Sequence, residues 1–237
     1  MTGVGSVPSG GFTLIEMAMV TAIIALLLGG LLIPLGTRLE NERIKDTEKR
    51  LMDIADALMG FAITGANPRL PCPDIDGDGL EDPASEATAS CLQTEGELPW
   101  ASLGLTGTDA WGRPFRYAPD DAYASPEGIP TTPDTGTGFM VQDLAGTPLT
   151  DWTSASSSEP PPNGPAAIVF SCAQDGIPNM ENDNDSTVNT DANCTNSGTS
   201  DGLYTANTRR EGSFDDILVW LSRNTLLNRL VAAGVWP

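Results

Sequence analysis

The chain has 237 residues, with 12 Lys and Arg against 32 Asp and Glu and no His, so its formal net charge is −20. That charge repels nucleic-acid phosphates, and no run of Lys and Arg is dense enough to override it, so nucleic-acid binding is disfavoured. Without His there is no Ser-His-Asp or Cys-His nucleophile and no imidazole metal site, which leaves oxygen-ligand or thiolate chemistry and argues against an enzyme.

The charge is unevenly distributed. Residues 57–237 hold 7 basic and 25 acidic groups and so carry −18 of the total. Residues 17–35 form 19 consecutive positions without a charge, which as a helix cover roughly 28 Å and suffice to cross a bilayer. A cleaved secretory signal is the competing reading, but the run has no basic leader and no small-residue cleavage site after it. Glu16 stands at the start of the run, and a carboxylate there calls for a neutralising partner.

The stretch Gly11-Phe12-Thr13-Leu14-Ile15-Glu16 followed by about twenty apolar residues resembles the processing signal of type IV pilins and of the pseudopilins of type II secretion systems. The resemblance implies a leader of residues 1–11, cleavage after Gly11 by a prepilin peptidase, and N-methylation of Phe12. It also implies that Glu16 pairs with the terminal amine of a neighbouring subunit. Residues 12–36 would then be the transmembrane and filament-core helix, and residues 37–237 an extracytoplasmic globular domain. The leader departs from the family in lacking Lys and Arg. Basic residues instead follow the helix at Arg38, Arg43, Lys45, Lys49 and Arg50, which by the positive-inside rule alone would place the domain in the cytoplasm. The family resemblance and the cysteines favour a periplasmic domain on the bacterial inner membrane.

Past the membrane, Ile44, Leu51, Ala55, Leu58 and Ala62 share one helical face, predicting a helix over 12–63 interrupted near Gly29, Gly30 and Pro34. Candidate strands follow at 115–118, 138–144, 166–171 and, more weakly, 203–206, enough for a small antiparallel sheet. The run Asp109-Ala110-Trp111-Gly112-Arg113-Pro114-Phe115 is similar to a motif of major pseudopilins. It reads as a turn into a strand, with Trp111 filling the seam between helix and sheet. At the C-terminus, Ser213 with Asp216 forms a capping-box pattern that predicts a short helix through Leu221. Ser222, Arg223 and Asn224 interrupt, and a second helix covers 225–233 and is stopped by Gly234. This tail, with the Leu-Pro-Cys-Pro-Asp segment at 70–74, resembles a group of uncharacterised pilin-like proteins. The expected fold is thus α+β and pilin-like: a long N-terminal helix on a small antiparallel sheet, with long disulfide-bridged loops and a C-terminal helical segment.

Four cysteines allow three pairings, and sequence proximity favours Cys72 with Cys91 and Cys172 with Cys194. Disulfides imply an oxidising compartment, and the absence of any Cys-x2-Cys pair weighs against zinc. Each bridged loop is acidic. Asp74, Asp76 and Asp78 followed by Gly79 match the opening of a calcium loop, with Asp82 at its ninth position, although Ser85 stands where an EF-hand has Glu. In the second loop Asp175, Asn179, Glu181, Asp183 and Asp185 offer alternating oxygen ligands, and major pseudopilins bind calcium in a late loop. The ordinary alternative for both is a solvated acidic turn.

The expected function is that of a structural subunit of a type II secretion pseudopilus or type IV pilus. The implied partners are prepilin peptidase, other pilin or pseudopilin subunits, the inner-membrane assembly platform and the membrane itself, with calcium as the candidate cofactor. The alternative is a membrane-tethered periplasmic calcium-binding or enzymatic module that does not polymerise. Its support is the carboxylate pair Asp215 and Asp216, which a helix cap would also explain.

Overall fold

The computed structural model describes residues 11–65, 67–84, 91–125, 128–129, 138–150, 164–182, 194, 202–210 and 213–236, without the side chains of 28–35 and 181. The chain divides into two compact units, Met1–Arg43 and Ile44–Pro237. Helix α1, Leu14–Thr64, contributes to both. It starts two residues later than expected and runs through Gly29, Gly30 and Pro34 without the expected break. A proline removes one intrahelical N–H bond, which need not end a helix whose neighbouring bonds survive.

In the first unit every described side chain from Gly11 to Leu27 is exposed. Among the described residues no helix is long and apolar enough to cross a membrane. Residues 28–35, the second half of the expected span, fall among those whose side chains are not described.

In the second unit the same helix turns amphipathic. Thr47, Leu51, Ile54, Leu58 and Ala62, at steps of four and three, are fully or almost fully buried. Ile44 and Ala55 of the expected stripe are only half-buried, because the true stripe is centred on Ile54. It packs on a four-stranded antiparallel sheet of order β1-β2-β4-β6, formed by β1 Gly96–Glu97, β2 Arg116–Pro119, β4 Pro165–Ser171 and β6 Ile217–Ser222. Two further strands, β3 Met140–Gln142 and β5 Leu203–Thr205, pair in parallel as a separate small sheet. Short helices α2 Trp100–Leu103 and α3 Asp121–Ala124 join the early strands, and α4 Arg223–Ala233 ends the chain.

Strand periodicity sorts the core into two layers. Phe115 and Tyr117, Ala167 and Val169, and Ile217, Val219 and Leu221 face α1 and the buried Leu226 and Leu230 of α4. Ala118, Ile168 and Phe170 with Leu218 and Trp220 face the opposite way, onto Phe139, Val141, Tyr204 and the Cys172–Cys194 disulfide. The main sheet is therefore covered on both sides, which is why all seven residues of β4 are buried.

The C-terminal segment corrects the expectation at 213–221, since residues 217–222 are a strand. A short uncharged run such as Ile-Leu-Val-Trp-Leu can serve either period, and here alternate side chains feed two different layers, which only an extended chain can do. The second helical piece stands, beginning at Arg223, with Gly234 as its cap. The four candidate strands are all present within a few residues of their expected limits, but only two of them join the antiparallel sheet, since 140–142 and 203–205 pair with each other in parallel.

Candidate functional site

The processing segment opens on Gly11 and Phe12, exposed and outside any helix or strand, and Thr13 precedes the first helical turn. Thr13 and Glu16 form a capping box. The Glu16 amide donates to Thr13 Oγ1 at 3.3 Å, while the Thr13 amide and hydroxyl both donate to Glu16 Oε2 at 3.4 Å. Thr13 thus gives Glu16 local donors but no counter-charge.

The first acidic loop is held rigidly from both ends. Cys72 and Cys91 are bridged, with Cα atoms 5.2 Å apart. Just before the bridge Arg69 grips Glu81 of the loop through two bonds of 2.7 and 2.8 Å, Glu81 also accepts the Cys72 amide, and the guanidinium lies 5.6 Å above the Phe61 ring of α1. Within the loop each carboxylate accepts backbone amides. Asp74 takes those of Gly77 and Gly79 at 2.7 Å each, Asp76 that of Asp78, Asp78 that of Leu80, and Asp82 that of Ile75 at 2.7 Å. Gly79 has φ +85° and lies against the Trp100 indole, so a Cβ there would collide with the ring. Its carbonyl accepts the amides of Ala101 and Ser102, bolting the loop to α2.

Of the four expected ligands the fold gathers three. Carboxylate oxygens of Asp74, Asp76 and Asp78 lie within 4.8 Å of one another. Asp82 is not among them; its carboxylate accepts the Ile75 amide. Ser85 lies outside the described residues. Burial pushes the Asp74 carboxyl above the usual range, the Gly77 and Gly79 amides oppose that, and Asp78 and Asp82 add to it. Glu97, paired with residue 74 through the backbone, is raised by burial and by Asp74, against the pull of Arg116. Like charges therefore load this end of the sheet.

The second loop is organised differently. Cys172 and Cys194 are bridged with Cα atoms 6.0 Å apart. Asp175 accepts its own loop's Ile177 amide at 2.9 Å. Asn179 is buried and fully engaged, donating its amide to Asp216 Oδ2 and its side-chain nitrogen to the Ile177 carbonyl, while its Oδ1 accepts the Asp215 amide. The side chain of Glu181 and all of Asp183 and Asp185 lie outside the described residues. Asp215 receives the amides of Gln174 and Asp175, and Asp216 also receives Asn182 Nδ2 at 2.8 Å. Asp215 and Asp216 thus cap no helix; they latch the loop after β4. Burial holds the Asp216 carboxyl well above the ordinary range, despite its two donors.

A third polar cluster has no counterpart in the sequence reading. Arg116 Nη2 donates to Glu95 Oε1 at 2.6 Å and the Tyr204 hydroxyl donates to Glu95 Oε2 at 2.7 Å, with Arg116 at 3% and Glu95 at 1% exposure. It joins β2 of the main sheet to β5 of the small one. The only sequence cue is a single charge between Phe115 and Tyr117, on the strand face opposite theirs.

The Asp109–Pro114 run is a structural corner. Asp109, buried, accepts the Trp111 and Arg113 amides and the Ser171 hydroxyl, while Arg50 and Thr47 of α1 bond the adjoining backbone. Gly112 takes φ +82°, as the turn requires. Trp111 does not fill the seam; Phe115 and Tyr117 do. Comparison with family models, curated proteins and solved structures found no match.

Proposed function

We propose that this chain is a pilin-like filament subunit of a secretion or pilus machine, processed after Gly11, N-methylated at Phe12 and assembled through the first half of α1. The observation that carries the reading is the uncovered start of that helix. Phe12, Leu14, Ile15, Met17, Met19, Val20, Ile23, Ile24, Leu26 and Leu27 are 46–92% exposed, on every side of the helix. A helix that is apolar all round requires lipid or neighbouring helices around it. The only charge in this stretch is Glu16, held by Thr13 at the long end of hydrogen-bond range and so available to a stronger partner. A terminal amine created by cleavage at Gly11 is such a partner. Glu16→Ala should leave cleavage and membrane association intact while lowering recovery of the chain in sheared filaments at least about tenfold, the effect of about 1.4 kcal/mol. Wild-type recovery would refute the pairing.

The same reading assigns calcium to Asp74, Asp76 and Asp78 as a structural ion. Oxygen ligands at this spacing suit a hard divalent cation, and a cation would offset the burial and the lesser like-charge repulsion that raise Asp74 and Glu97. An ion bound to the native state alone contributes about 2.7 kcal/mol at a hundred times Kd, and so a rise of about 5–10 °C in Tm for a domain of this size. Magnesium, which dehydrates reluctantly, should do less. Asp76→Ala with Asp78→Ala should abolish the rise, and an undiminished rise would move the ion elsewhere.

A further inference from the structure

We infer that Asp215 and Asp216 form a proton-operated latch, which holds the loop after β4 closed while it carries a proton taken from solvent and releases that loop as the pH rises. The two side chains enter the loop from the segment just before β6 and are 8% and 3% exposed. One oxygen of each is engaged. Asp215 Oδ2 accepts the amides of Gln174 and Asp175, and Asp216 Oδ2 accepts the Asn179 amide and Asn182 Nδ2. The other oxygen of each, Oδ1, is buried and meets no donor among the described residues. Two consecutive carboxyl groups thus have half of their oxygens without a partner, which a full negative charge tolerates far less well than a neutral acid does.

The surroundings do not supply the missing positive charge. Among the described residues the charged groups around the pair are Asp175 on the same loop, Arg209 beyond β5 and Arg113 in the corner at 109–114. Both guanidiniums turn to Gln174, Arg209 Nη2 to its side-chain oxygen and Arg113 Nη2 to its carbonyl, at 2.6 Å each. Neither forms an ion pair with Asp215 or Asp216. A metal ion suits the pair poorly. No third carboxylate of the described residues joins it within ligand distance, in contrast to the first loop, and calcium takes about six to eight oxygens. A proton needs one.

Burial raises the Asp216 carboxyl first, and the charges of Asp215 and Asp175 add to it, against the Asn179 and Asn182 donors. Asp215 is raised by burial and by the charge of Asp175, against the amides of Asp175 and Gln174 and the charge of Arg209. The folded chain therefore binds these protons more tightly than the unfolded chain. The stability they contribute is full below the ordinary carboxylate range and is lost as the pH rises through the raised folded values. The latched loop is also strained: Ala173 and Met180 take φ +38° and +58°, a region that residues with a Cβ avoid. Asn182 carries the link further, since its Oδ1 accepts the Thr205 amide of β5 at 2.7 Å. Loss of the proton thus loosens the loop and its hold on the small sheet, whether or not the chain assembles into filaments.

Amide exchange in the full chain tests the latch at Gln174, Asp175 and Asn179, whose N–H groups the pair accepts. Their protection, corrected for intrinsic rate and referred to the amides of β4, should fall at least about tenfold from about pH 5 to about pH 8. Asp216→Asn keeps an acceptor and carries no charge, so the same amides should stay protected across that range. Asp175→Asn, at an exposed position, removes a charge that raises both carboxyls and should move the fall to lower pH. Wild-type protection that is flat or rises with pH overturns the proposal without any variant. An equal fall in wild type and Asp216→Asn, or a midpoint unmoved by Asp175→Asn, overturns it as well. Loss of protection on chelating divalent metal at fixed pH would give the site to a metal ion instead.

Discussion

Glu95→Ala is expected to lower stability by about 3–5 kcal/mol, the largest single-residue effect in this domain, because it leaves the buried Arg116 guanidinium without its ion-pair partner. Arg116 is 3% exposed, its Nη1 already lacks a hydrogen-bond partner, and Glu95 supplies the acceptor of its Nη2. The same substitution removes the acceptor that Glu95 offers the Tyr204 hydroxyl, which is also buried. Since β5 lies against the main sheet largely through Tyr204, with Phe139 and Phe170 packed at 5.6 and 6.1 Å from its ring, the small sheet should loosen first. Denaturant unfolding measures the loss. Tyr204→Phe, which removes only the hydroxyl, should cost far less, and equal costs would show that the charge pair is not what matters.

Removing Cys172–Cys194 by the double change to Ser should cost about 3 kcal/mol in the chain-entropy account of a loop of this length. The cost should exceed that of exposing the thiols alone, because Cys172 and Cys194 also fill the core layer beside Phe170 and Tyr204. The Cys72–Cys91 bridge closes a loop of similar length, but Arg69, Glu81 and the Asp74 turn hold that loop independently. Its removal should therefore be the milder of the two, as thermal melting of each double variant would show. The reverse order would mean that the ion pair and turn contribute little without the bridge.

How far the sequence could be read depended on the range of the forces involved. Short-range signals worked: most of the apolar stripe along α1, the turn at Asp109–Pro114 and four strands rest on periodicity and turn residues within a few positions, and both disulfides join cysteines only 19 and 22 residues apart. The failures have a common origin in long-range partners. Asp216 follows Ser213 in capping-box spacing, yet its carboxylate binds Asn179 and Asn182, more than thirty residues away, and the apolar run after it became a strand because two layers needed its alternate faces. Arg116, Glu95 and Tyr204 come from three separate segments, so no window of sequence contains the cluster. Asp82 stood at a ligand position by counting, but the fold leaves it outside the cluster of Asp74, Asp76 and Asp78.

The filament account stands most directly on the N-terminus of the mature chain. Intact-mass and peptide analysis of the protein from cells with and without a prepilin peptidase would read it. The account predicts loss of residues 1–11 and a first residue Phe12 carrying one extra methyl group, both only when the peptidase is present. A chain that keeps its first eleven residues in both strains, while still folded and membrane-associated, would contradict it and favour a tethered module that does not polymerise.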